Sequence, residues 1–216
     1  LMRGNRIIFA ALVPALLFSP FQASGRDDGA AKRAWPRFTF GIESSYVLTF
    51  MNRSHFNFIS ADGGRRDVKS FSAGLWSNGQ FLVHGGVNLT EKVNISLYTG
   101  YGGIFVRERM VPVSVRVSWF YGRDPMKNRW MSFCSVGAGF NNPDRLSRIS
   151  AEGKAGGGYR ISLNRHVKMD LLLAFQEVYT HIRAYENDTG SYVPEERLRR
   201  NDAWIGAFTF GIGLVF

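Results

Sequence analysis

The sequence predicts an all-β fold, an eight-stranded antiparallel barrel, on three observations. The composition couples 24 Gly and only 7 Pro with 18 Phe, 8 Tyr and 5 Trp, a mixture that strands accept and helical bundles do not. Eight segments alternate bulky apolar with small or polar residues at period two, so each strand sends the two sets to opposite faces. The connections between segments alternate in length, as expected when the two ends of a barrel differ. With 216 residues, 45% of them hydrophobic, the chain can bury one substantial core, and neither a disordered tail nor a collagen-like repeat fits.

The elements follow in order. Arg3 and Arg6 precede an apolar run from Ile7 to Phe18, then Pro20 and the small residues Ala23, Ser24 and Gly25. This order predicts a secretory signal over 1–25, cleaved near Gly25. The run falls short of the roughly 20 residues a spanning helix needs, and no cysteine stands directly after it to carry a lipid. Residues 26–36 read as a polar linker and 37–216 as the barrel.

In the first strand Phe38, Phe40, Ile42, Tyr46, Leu48 and Phe50 oppose Thr39, Gly41, Glu43, Ser45, Val47 and Thr49, with Ser44 the exception on the apolar side. A weaker second strand spans Phe81 to Leu89. The third sets Val93, Ile95, Leu97, Thr99 and Tyr101 against Asn94, Ser96, Tyr98, Gly100 and Gly102. The fourth sets Val111, Val113, Val115, Val117, Trp119 and Tyr121 against Pro112, Ser114, Arg116, Ser118 and Phe120. Weaker alternation marks Trp130 to Phe140 and Ala155 to Leu163. The seventh sets Val167, Met169, Leu171, Leu173 and Phe175 against Lys168, Asp170, Leu172, Ala174 and Gln176. Glu177 then lands on the apolar phase, predicting a bulge or the end of the membrane-buried part. The eighth strand, Ala203 to Phe216, is the clearest. Tight turns are expected at Thr90 to Lys92 and Asn164 to His166, with an intermediate one at Gly122 to Asn128. Longer polar loops are expected at Asn52 to Lys69, Arg107 to Met110, Asn141 to Glu152 and Ile182 to Asp202.

The faces decide which side is greasy. A soluble ligand-binding barrel keeps its bulky face inside and a charged face in water. Here the second face is mostly Gly, Ala, Ser, Thr and Asn, which suits a narrow interior. The bulky face therefore points to lipid, and Trp119, Tyr121, Trp130, Tyr179 and Trp204 suit the headgroup level near strand ends. No stretch of 18 apolar residues offers a spanning helix.

The last strand places Phe208, Phe210, Ile212, Leu214 and Phe216 on one face. With this ending, the leader and the strand plan, residues 37–216 resemble the small outer-membrane β-barrel proteins of Gram-negative bacteria. They are similar in plan to the OmpA membrane domain and OmpX, and to the "outer membrane protein beta-barrel" chains of Bacteroidota. The resemblance implies an outer-membrane location with termini in the periplasm and long loops outside. It implies outer-membrane lipids and lipopolysaccharide as surroundings, and a final strand read by the barrel-assembly machinery.

The small face carries Glu43, Arg116, Arg160, Lys168 and Asp170, with His84 and Gln80 from a neighbouring strand. Ionisable groups at membrane depth face inward and pair, so these are expected to form a polar network plugging the lumen. The alternative is a charged constriction in a narrow porin that passes ions or small solutes. Barrel-type lipid A deacylases resemble a His-x-Ser arrangement, but His55, His84, His166 and His181 are followed two positions on by Asn57, Gly86, Lys168 and Arg183. Ser54-His55 reads as a solvated loop pair, and no catalytic residues are expected. Cys134 stands alone and the four His share no ligand spacing, so no metal or cofactor is expected. Gly156-Gly157-Gly158 lacks the Lys-Ser/Thr of a phosphate loop and reads as strand.

The formal charge of +10 raises nucleic acid as a partner, which export removes. Arg65, Arg66, Arg197, Arg199 and Arg200 fall in expected exposed loops, where they can meet lipopolysaccharide phosphates or an acidic extracellular ligand. The function expected is therefore non-enzymatic: a barrel with a structural or surface-interaction role exercised through its loops. A lipid-modifying enzyme and a soluble ligand-binding barrel are the more distant readings.

Overall fold

A computed structural model describes residues 36–105, 108–122, 124–141, 149–186 and 188–216. The expected leader, and the linker apart from Pro36, lie outside the described residues. Eight long strands form the wall: β1 (Phe38–Ile59), β2 (Arg65–Asn88), β3 (Val93–Phe105), β4 (Glu108–Phe120), β5 (Arg129–Asn141), β6 (Ile149–Ser162), β7 (Lys168–His181) and β10 (Leu198–Val215). Between β7 and β10 stand a short hairpin, β8 (Tyr185–Glu186) and β9 (Ser191–Tyr192), and a 3-10 turn at Glu195–Arg197. The long strands close into one barrel in the order β1-β10-β7-β6-β5-β4-β3-β2. Every neighbouring pair is antiparallel. Closure leaves no free edge within the wall, which matters where no water can satisfy one. The seam closes at the end of the chain, where Phe40 and Phe216 exchange backbone hydrogen bonds of 3.3 and 2.8 Å.

The predicted faces hold along the wall. Phe38, Phe40, Ile42, Tyr46, Leu97, Val115, Leu173, Phe208, Phe210 and Ile212 are exposed on the outside, while Thr39, Glu43, Ser45, Ser96, Ser114, Arg116 and Thr209 are buried inside. Aromatic pairs mark both rims. Trp130 and Tyr159 lie 4.9 Å apart at the end with the tight turns, and Tyr179 and Trp204 lie 5.1 Å apart at the other. The interior is crowded. A Cβ on Gly156 would come within 2.2 Å of the Leu173 carbonyl oxygen and 2.5 Å of the Ala174 Cβ, so the glycine run is wall strand and has no room for a side chain at Gly156.

Several expectations are corrected. The segment from Asn52 to Lys69 is not a loop. β1 has 22 residues and β2 has 24, well beyond the roughly ten needed to cross a bilayer, and only residues 60–64 turn between them. The reason is a bulge: Thr49 faces Ala207 and Met51 faces Gly206, leaving Phe50 as an extra residue against β10. On the other side Gly74 and Leu75 stand opposite it. The inward set switches from odd to even numbers, and Asn52 and Ser54 become the buried ones. Alternation read across Phe50 is thereby broken.

Similarly, β3 and β4 leave only residues 106 and 107 between them, and the segment 182–202 holds β8, β9 and the start of β10. Arg65, Arg66, Arg199 and Arg200 consequently sit on strands and Arg197 in the 3-10 turn, not in loops. Of the two readings of Glu177, the bulge is absent and the position near the end of the membrane-buried part remains. The β7 ladder is continuous on both sides, with Glu177 opposite Gly206 and Gly153, just below the Tyr179–Trp204 pair.

Candidate functional site

The interior is built in layers by inward side chains from successive strands. In the middle layer Arg116 from β4 reaches across to Glu43 on β1, with its Nη1 and Nη2 donating to the two carboxylate oxygens at 2.6 and 3.3 Å. Both residues are 3% exposed. Ser45 donates to Glu43 at 3.1 Å. Lys154 from β6 stands 3.9 Å from the same carboxylate and donates to Gln80 at 3.0 Å. The Arg116 guanidinium is sandwiched by aromatic rings, 3.9 Å from the Tyr98 centroid and 4.5 Å from that of Phe133. His84 stacks on Tyr98 at 4.5 Å. This ring needs Gly41 beneath it, since a Cβ there would lie 2.6 Å from His84 Nε2.

The second layer lies toward the tight turns. Arg160 and Asp170 pair through two hydrogen bonds of 2.7 Å, the bidentate fork that Arg makes best. Arg129 and Arg160 face the Phe120 ring at 4.1 and 4.3 Å. Phe120, Met131, Phe133, Leu172 and Ala174 fill the space around them.

At the opposite end the lumen is lined by apolar side chains. Ile104, Met110, Val178, Ile182, Ala203 and Ile205 form a buried cluster with Phe56 and Phe105 against it. Above them Phe58, Ala184 and Val193 form a second cluster, and Phe56 packs on both. The β8–β9 hairpin is thus fastened over the mouth on the inner face of the β10-β1-β2 extension. Its polar latch is Glu186, which accepts from the Ser60 hydroxyl and, at 3.1 Å, from the Ala61 amide. The Ser60 hydrogen bond holds the Glu186 carboxyl below the usual carboxylate range, helped by the Ala61 amide, Thr189 and Arg197. Further along the extension His55 meets Asp67 at 2.6 Å and lowers its pKa in the same way.

The six lumen residues singled out from sequence all face inward. Glu43 and Arg116 are brought together, with His84 linked through Tyr98. Arg160 and Asp170 form the other pair, with Lys168 in the same layer donating to the Pro125 carbonyl at 3.0 Å. Sequence reasoning missed Arg129, Glu152 and Lys154, all buried inside. Lys154 and Glu152 share the even phase of Arg160, which extending that strand backward from Ala155 would have found. Arg129 shares the phase of Met131 and Phe133, where an apolar inner face erases the alternation. Of the five arginines expected in loops, Arg66 pairs with Asp188 at 3.2 Å, Arg200 with Asp202 at 2.5 Å and Arg197 with Glu186 at 3.5 Å. Arg65 donates to Asn57 at 3.2 Å. Three of the five thus meet carboxylates of the extension itself, while Arg65 meets a neutral amide.

No protein-family model matches the chain, and no curated protein matches it. Solved structures share its fold. The outer membrane protein OprG of Pseudomonas aeruginosa superposes with a TM-score of 0.52 at 12% identity, over 83% of this chain and 96% of that one. AlkL gives 0.43 at 9% identity, over 89% and 97%. Neisserial surface protein A gives 0.40 at 7%, over 81% and 95%. A closed eight-stranded ring, an apolar outer belt between two aromatic rims and the OprG likeness together define the class: a small β-barrel of the bacterial outer-membrane type. In barrels of this type the short turns face the periplasm and the longer connections the outside.

Proposed function

We propose that this protein is a non-conducting, non-enzymatic outer-membrane barrel whose working surface is the extension raised above the membrane. The observation that carries this reading is closure of the lumen at two levels in series, by the Glu43–Arg116–Lys154 layer and by the apolar stopper around Ile104, Met110 and Ile205. A pathway for ions needs a wetted route past both. The extension presents Val68 and Phe71 to solvent, the latter at 64% exposure, beside Arg65, Arg66, Lys69, Arg199 and Arg200. Apolar side chains framed by cations above a membrane suit an extracellular partner or the phosphates and sugars of lipopolysaccharide. The outward row Phe208, Phe210, Ile212, Leu214 and Phe216 is the segment offered to the assembly machinery.

The test is ion conductance of the refolded chain in a planar bilayer, with folding checked by the gel shift between unheated and boiled samples. A heat-modifiable barrel without discrete steps supports the reading. Discrete steps from the folded wild type would replace it with a narrow porin.

A further inference from the structure

The end of the barrel with the tight turns opens into a recess of about 90 Å³, roughly three water volumes. Arg129, Arg160 and Lys168 line it from inside the wall, and Glu91, Arg165 and His166 from the turns. The three wall cations are 7%, 7% and 8% exposed. Asp170, the buried carboxylate among them, is committed to Arg160 through both its oxygens, and Asp124 and Glu91 in the turns offset part of the Arg129 charge. Arg129 donates Nη1 to the Glu91 carbonyl at 2.8 Å, yet its Nε is buried and meets no partner among the described residues. Lys168 uses one of its three N–H bonds on Pro125. It stands within the positive fields of Arg160 and Arg129, offset only by Asp170.

Buried cations in excess of carboxylates, with donors still to spend, are costly unless an anion joins them. We propose that the recess binds a small phosphate-class oxyanion from the periplasm. Several oxygens on one centre can accept from Arg129 and Lys168 together, which a monatomic anion cannot do with the same geometry. The donors point into the barrel, away from the lipid-facing Trp130 and Tyr121, so the anion arrives from water and not as a lipid headgroup. Bound there, it closes the lumen at its third level and stabilises the fold by mass action.

The experiment titrates inorganic phosphate into the refolded full chain in a zwitterionic detergent, at constant ionic strength held with sodium chloride. Calorimetry is expected to show saturable single-site binding, and the thermal midpoint is expected to rise with phosphate. Arg129→Gln and Lys168→Gln should each weaken binding about tenfold or more. Either variant suffices if the other loses its heat-modifiable mobility. No saturable binding by the wild type would overturn the proposal, as would unchanged affinity in a folded variant. Repetition in nanodiscs of phosphatidylcholine alone, and with phosphatidylglycerol, separates the sources. If the anionic lipid abolishes phosphate binding, the occupant is a headgroup and the aqueous assignment fails.

Discussion

Glu43 is the anion on which the middle of the barrel depends. It answers Arg116 by two hydrogen bonds and Lys154 at 3.9 Å, and removing its charge leaves both cations buried. Breaking one side of a buried pair costs about 3–5 kcal/mol, so Glu43→Gln should lower the unfolding free energy of the refolded barrel by that order, read from a lower denaturant midpoint at unchanged slope. Lys154→Met should cost less, because the Glu43–Arg116 pair survives it. Glu186 governs the outer mouth through pH. Its carboxyl is held low, chiefly by the Ser60 hydroxyl, so the latch is fully present above the ordinary carboxylate value of about 4.3. It is lost as pH falls through the lowered folded value. Hydrogen exchange of residues 183–197 should therefore stay slow from neutral pH into mild acid and speed up below that point. The inward charges Glu43, Arg116, Arg160 and Asp170 were legible because each falls on the small, polar phase of its strand. Their pairing was not, since it joins residues 73 apart in the chain for one pair and 10 apart for the other.

Among elements, β3 to β7 have 13 or 14 residues each and do little more than cross the membrane. β1, β2 and β10 overshoot it and build the exposed platform. Alternation located the crossing parts of all eight strands, because lipid on one side and packed polar groups on the other impose period two. It failed above Phe50, where the bulge shifts the phase and both faces of β2 from Arg65 to Phe71 are exposed to water. With no buried face, a strand leaves no pattern to read. Inside the wall the constraint is steric. A side chain at Gly156 meets the Leu173 carbonyl oxygen at 2.2 Å, so Gly156→Val should force the β6–β7 ladder apart. The expected outcome is a sharply reduced heat-modifiable fraction on refolding, whereas Gly157→Ala, whose added Cβ meets only the Met131 carbonyl oxygen at 3.3 Å, should refold much more fully.

For the whole molecule, two obstructions in series predict how conductance responds. Replacing the β8–β9 segment, residues 183–194, by a short Gly-Ser loop removes part of the outer stopper but leaves the Glu43–Arg116 layer in place. Such a variant should stay closed, as should Glu43→Ala with the hairpin intact. Combining the two should give measurable steps in a planar bilayer only where the Arg160–Asp170 layer leaves a route beside it. Steps from either single variant would mean that one level alone holds the barrel shut.

The sequence by itself determined that the chain is a barrel with its greasy face outward, since period two and the small inner face depend only on neighbours along one strand. It also determined which side the membrane-depth charges face, because a one-residue step reverses the face. Only the tertiary structure decided which charge meets which, that Arg129, Glu152 and Lys154 join them, and that Phe56 on β1 and Ile205 on β10 help line the mouth. Those outcomes depend on ring closure and on the bulge at Phe50. Both set the rotation of one strand against the next, a quantity that no single segment encodes.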